Sequence, residues 1–223
     1  MQKTMDAVVV DPPSKVDSTM IWLHGLGADG HDFEGIVPQF ALPPNHGIRF
    51  IFPHAPIQAV TVNGGMKMRA WYDIRQVDLT QQVDWQGIEQ SVALLDELVS
   101  QQVSAGIATQ HIMIAGFSQG GVIALHAGLQ RPEPLAGIIA LSTYFPERSK
   151  TRYQQPESCP IFMAHGLMDP ICPYKSAKVA LSHLQGQGFS PSWHAYPMQH
   201  QVCLEEIEAL SKFIQQRLVS NQQ

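Results

Sequence analysis

The stretch His111 to Gly121 reads HIMIAGFSQGG: an apolar run, a glycine, and then Ser118 with Gly116 two places before it and Gly120 two places after. This is the G-x-S-x-G spacing of a nucleophile elbow, in which a strand turns directly into a helix and holds a serine in a strained conformation with its hydroxyl exposed. The geometry calls for glycine at both flanking positions, because a Cβ there would clash across the corner. The helix N-terminus behind Ser118 also favours developing negative charge. The plainer alternative is a tight strand-to-helix turn with Ser118 as an ordinary N-cap.

A serine hydroxyl needs a base to remove its proton, usually a histidine oriented by a carboxylate. On such an elbow the chain order is serine, acid, histidine. Downstream lie His126, His165, His183, His194 and His200. His126 falls two turns into the helix that starts at the elbow and points away. His183 falls in a helical pattern and His194 in a strand pattern. His165 ends a strand, where packing alone accounts for it. His200 lies in the loop YPMQHQ after the last strand pattern and is the best base by position. Asp169, in the strand-to-loop run PIFMAHGLMDP, is the best acid; Glu147 is a weaker one. A tetrahedral intermediate needs backbone N–H donors. The amide of Gln119 is one by position. IWLHGLGADG supplies the other, from Leu26, with Gly25 as the alternative.

These residues need a scaffold that brings loops together. Short apolar runs read as buried strands at Thr19–Leu23, Arg49–Phe52, His111–Ala115, Gly137–Leu141 and Pro160–Ala164, with AVVV and PSWHAYP as strands nearer the edges. Between them Trp85, Ile88, Val92, Leu95 and Val99 recur at helical spacing. Val122–Leu129, Ser176–Leu184 and Leu204–Leu218 also read as helices. Strands alternating with helices predict an α/β fold, a mostly parallel sheet covered on both faces, as one domain over residues 1–223. Ligands in such sheets bind beyond the carboxyl ends of the strands, where Ser118, Asp169 and His200 all fall.

Composition narrows the functional classes. The formal charge is -5 and no Lys/Arg run is present, which argues against a nucleic-acid partner. Three cysteines without a C-x-x-C pair point to a reducing cytoplasm rather than a disulfide framework. The N-terminal apolar run of four residues is too short for a signal peptide or a membrane span, so a cytoplasmic protein without stable membrane insertion is expected.

LHGLGADG, FPHAP followed by VTVNGG, WYDI, GFSQGG, HGLMDP and YPMQHQV together span residues 23 to 202. As a set they resemble the carboxylesterase and acyl-protein thioesterase family of α/β-hydrolases. The resemblance implies Ser118 as nucleophile, Asp169 as acid, His200 as base and oxyanion donors at Leu26 and Gln119. It implies a small-molecule ester or acylated substrate (a short- to medium-chain ester, a lysophospholipid or a thioester), no cofactor, and a homodimer through an apolar surface near the pocket. Gln199 and Gln201 depart from the glycine and the small or acidic residue that often flank the family's histidine. The rival class is a non-catalytic acyl-binding protein on the same fold; a peptidase ranks lower, since no peptide-binding charge or added domain is visible.

Other features have plainer explanations. His24, Asp29, His31 and Asp32 crowd one loop, but its glycines suit anion binding better than a metal. Cys203, three residues from His200, lacks an elbow and reads as a buried thiol starting the last helix. Met66, Met68, Trp71 and Tyr72 either line an acyl pocket or pack a loop against the core.

Overall fold

The computed structural model describes residues 5–147, 153 and 159–219. Its main sheet has seven strands, β1 (Ala7–Val10), β2 (Ser18–Leu23), β3 (Ile48–Pro53), β6 (Ile112–Phe117), β7 (Gly137–Leu141), β8 (Ile161–Gly166) and β9 (Ser192–Tyr196). They lie in the order β1-β3-β2-β6-β7-β8-β9. Only β1 runs antiparallel to its neighbour. The two strands expected nearer the edges, AVVV and SWHAY, are the two edge strands.

The strand runs are apolar at nearly every position because both faces are covered. Side-chain alternation then divides each strand between two cores. Ile21 and Leu23 of β2, and Ile112 and Ile114 of β6, face α2 (Trp85–Ser104), α3 (Gln119–Gln130) and α4 (Tyr174–Gly186). Met20 and Trp22 of β2, with Met113 and Ala115 of β6, face the one-turn α1 (His31–Glu34) and α5 (Leu204–Ile214). On α5 the residues Ile207, Leu210 and Ile214 turn inward, as their spacing predicts.

A feature the sequence reading treats as a loop is a hairpin. Strands β4 (Ile57–Val60) and β5 (Met66–Arg69) pair antiparallel as a separate two-stranded sheet. Gly64 and Gly65 between them both have positive φ, which explains the Asn-Gly-Gly in the turn.

The topology sets where a site can form. From β2 the chain goes to β3 on one side, then crosses to β6 on the other. The strand order therefore switches between β2 and β6. A crevice opens beyond their carboxyl ends at such a point, and those ends carry His24–Gly27 and Ser118.

Candidate active site

Ser118 occupies the corner between β6 and α3 with φ 54° and ψ −118°, a region a non-glycine residue enters only when its surroundings force it. Its N–H donates to Leu141 O at 2.9 Å, and its carbonyl accepts from Gly121 N at 3.0 Å and Thr143 Oγ1 at 2.7 Å. Its hydroxyl makes no capping bond to the helix, so an ordinary N-cap does not describe it. A Cβ on Gly116 would overlap the Gly120 carbonyl, and one on Gly120 would overlap the backbone at the end of β2. Both glycines are thus required by close backbone approach.

Asp169 follows β8 and is buried. Its Oδ1 accepts from the amides of Ile171 at 2.9 Å and Cys172 at 2.8 Å, and its Oδ2 accepts from His200 Nδ1 at 2.7 Å. A carboxylate only accepts, so Nδ1 carries a proton, and in the neutral ring Nε2 is then the nitrogen with the lone pair. The His200 ring rests on Phe117, beside the serine, with centroids 4.8 Å apart. The loops that carry Asp169 and His200 are laced together through their backbones: Leu167 N to Tyr196 O at 2.8 Å and Met168 N to Met198 O at 3.1 Å. Gly166 permits this, since a Cβ there would meet the carbonyls of Met198 and Gln199. Gln199 and Gln201 are both exposed, so their side chains fit beside this packing without strain.

After β2, His24 is buried and its ring is bonded on both sides. Nε2 accepts from Ala55 N at 3.0 Å, so Nδ1 carries the proton and donates to Gly25 O at 2.7 Å. Burial pulls this imidazole's pKa down, with the Gly25 carbonyl opposing, which keeps it neutral. Gly25 C=O and Leu26 N–H belong to one trans peptide and point opposite ways. Fixing the carbonyl therefore fixes the direction of the amide. Trp71 Nε1 donates to His24 O at 2.9 Å, and Gly27 N, at φ 78°, to Arg69 O at 2.9 Å. The Gln119 side chain joins this loop's supports to the elbow: its Oε1 accepts from Trp71 N at 2.9 Å and its Nε2 donates to Tyr72 O at 2.7 Å. The amides of Leu26 and Gln119 have no acceptor among the described residues.

The other sequence candidates fall elsewhere. Glu147 pairs with His183 on α4. His126 is buried against Phe145 and Trp85, and its pKa is pushed down to about 4 by burial. Of the candidate pocket residues, Trp71 and Tyr72 are 1% and 2% exposed. The Tyr72 hydroxyl bonds Tyr144 Oη at 2.7 Å, so both rings are spent on the interior. Met68 is half-buried beside the Gly27 turn and Met66 is exposed. Cys203 is the N-cap of α5 but is half-buried, because that turn lies at the surface; this corrects the expectation of a buried thiol. In the glycine loop His31 is exposed and pairs with Glu34, while His24 faces inward. Sequence reasoning missed the roles of His24, of the Gln119 side chain and of Thr143. The His-Gly pair that ends both β2 and β8 was the available signal for the first.

A mostly parallel, helix-covered sheet with a serine on a strained elbow defines an α/β-hydrolase. The model of the phospholipase/carboxylesterase family matches residues 4–218. Acyl-protein thioesterase 1 of Neurospora crassa is 38% identical over 95% of this chain and 91% of its own length. The protein of that name from Schizosaccharomyces pombe is 34% identical, over 96% and 97%. Among solved structures, SOBER1 of Arabidopsis thaliana superposes with a TM-score of 0.84 at 30% identity, over 90% of this chain and 99% of its own. Acyl-protein thioesterase 2 of Zea mays gives 0.84 at 26% identity, over 96% and 99%. The chain belongs to the phospholipase/carboxylesterase family and is a serine hydrolase.

Proposed function

We propose that the chain hydrolyses carboxylic esters or thioesters through Ser118, His200 and Asp169. His200 Nε2 takes the hydroxyl proton as Ser118 Oγ attacks the acyl carbonyl, and later gives it to the leaving alcohol or thiol. Asp169 holds the tautomer and offsets the charge of the imidazolium. The amides of Leu26 and Gln119 bind the oxyanion; losing such a donor costs about 3–4 kcal/mol of transition-state stabilisation. Water, activated by the same histidine, then cleaves the acyl-enzyme. The observation that carries this reading is the 2.7 Å bond from His200 Nδ1 to Asp169 Oδ2, which leaves Nε2 available beside the elbow. The names of the relatives favour an acylated protein, its acyl group held as a thioester, as substrate. Three free cysteines favour a cytoplasmic setting. Among the described residues no helix is long and apolar enough to cross a membrane.

Hydrolysis of p-nitrophenyl esters and acyl thioesters of graded chain length, by the wild type and by Ser118→Ala, tests it. The substitution is expected to lower kcat by about 10⁴-fold or more without loss of folding. Equal rates would overturn the assignment. A protein that binds acyl chains yet neither turns over nor reacts stoichiometrically with a fluorophosphonate would be the binding protein instead.

A further inference from the structure

His165 ends β8 and is 1% exposed. Its Nε2 lies 2.7 Å from Cys172 O, and a carbonyl only accepts, so Nε2 carries the proton. Cys172 is the residue whose N–H donates to Asp169 Oδ1 at 2.8 Å. The turn from Asp169 to Cys172 is therefore clasped twice: the carboxylate holds its amides, and His165 holds its last carbonyl. The same Nε2 lies 3.4 Å from Asp169 Oδ2, the oxygen that receives His200. That is too long for a hydrogen bond of its own, so the clasp on Cys172 O is what ties His165 to the acid's turn. The ring's other nitrogen, Nδ1, is buried with no hydrogen-bond partner among the described residues. An unmet buried lone pair is a cost; an apolar side chain of similar size would remove it but would also free the Cys172 carbonyl, so the two changes largely offset. Stability alone therefore does not account for a histidine here.

We propose that His165 is a positioning residue for the reaction: by clasping the Asp169–Cys172 turn it holds the carboxylate in the orientation that serves His200. The inference rests on the assignment of Asp169 as the acid. It predicts that activity and stability respond separately to substitution.

The test compares His165→Leu, His165→Gln and His165→Asn with Asp169→Asn, reading kcat, KM and thermal unfolding. Gln places an N–H near the position of Nε2; Asn places one near Nδ1 and falls short of Cys172 O. Expected for Leu is a melting temperature close to wild type, since freeing Cys172 O offsets removal of the unmet Nδ1, with kcat reduced about 10-fold or more and KM within about 3-fold. Gln should restore kcat to within about 3-fold of wild type and Asn should not. If Leu does not fold, the contrast between Gln and Asn decides. The inference falls if Leu keeps kcat within about 2-fold, or if Gln and Asn are impaired alike. Loss of turnover in Asp169→Asn beside a fully active His165→Leu would overturn the positioning role alone. Full turnover in Asp169→Asn would overturn the acid assignment and the inference with it.

Discussion

At the end of β2 the chain reads His24-Gly25, and at the end of β8 it reads His165-Gly166. Each histidine is 1% exposed, each has its pKa lowered by burial, and each donates a ring N–H to a nearby carbonyl at 2.7 Å. The second nitrogens differ. His24 Nε2 accepts the Ala55 amide, while His165 Nδ1 accepts nothing among the described residues. The glycines differ too. A Cβ on Gly25 would find ordinary contact 3.4 Å from Phe117 and 3.5 Å from Ser118, whereas one on Gly166 would run into backbone carbonyls. The same dipeptide thus does two jobs. At the loop after β2 both ring nitrogens of the histidine are bonded and fix the direction of the following peptide, and its glycine has room. At the loop after β8 the histidine has one bonded and one unmet nitrogen, and its glycine is what lets two loops close.

Replacing His24 by leucine should give the largest effect and the clearest contrast with His165→Leu. It strands the Ala55 amide and frees the Gly25 carbonyl. A stability loss of about 2–4 kcal/mol is expected, with kcat down about 100-fold as the Leu26 amide loses its aim. Urea unfolding and ester kinetics read the two separately. A folded variant with undiminished kcat would confine His24 to stability and break the parallel.

The glycines test the other half. Gly166→Ala should force the Met198–Gln199 backbone away and move His200 with it. A loss of about 2 kcal/mol in stability and about 30-fold in kcat is expected. Gly25→Ala should stay within about 3-fold of wild type in kcat, since its Cβ meets only ordinary contacts. Equal effects would show that the tightness at Gly166 is relieved by loop movement.

These contrasts mark how far the sequence could be read. The strands were legible because runs such as STMIWL and IMIAGF are buried on both faces, and a parallel sheet has no other way to arise. The elbow was legible because its glycines are forced by local backbone contacts. The approach of Asp169 to His200 could be anticipated because each follows a strand of one parallel sheet. What was not legible depends on long-range placement. The hairpin strand MKMR alternates apolar and basic residues, but over four largely exposed positions that signal is too short to stand out, although the Asn-Gly-Gly before it marked the turn. Trp71 and Tyr72 look like pocket residues by type, and only the folded chain shows their polar ends spent on His24 and Tyr144. Nothing local tells that His165 meets the carbonyl of Cys172, seven residues on, rather than simply packing.

Glu206 supplies the smallest and sharpest test, because it is a second buried group with unmet side-chain polar atoms. It lies in the first turn of α5, wholly buried, with no hydrogen-bond partner for either oxygen among the described residues. Burial raises its pKa from 4.5 to about 8; the Cys203 N–H at the helix N-cap, close enough to favour the charged form though not aligned for a full hydrogen bond, opposes it only in part. Folding therefore favours the protonated form. The cost is absent below about pH 4.5, grows as pH rises through the window from 4.5 to 8, and levels off above it. Glu206→Gln removes the ionisation and should stabilise the protein by on the order of 2 kcal/mol at pH 8, with the gain shrinking towards pH 4.5. Unlike His165, Glu206 has no contact with Asp169 or His200 that would give its burial a use in the reaction, so kcat should not change. Unfolding at pH 5 and pH 8, with kcat measured alongside, decides. A drop in kcat equal to that of His165→Leu would mean that unmet buried groups around this half of the site act on the histidine loop in common. In that case the clasp on Cys172 would no longer be what sets His165 apart.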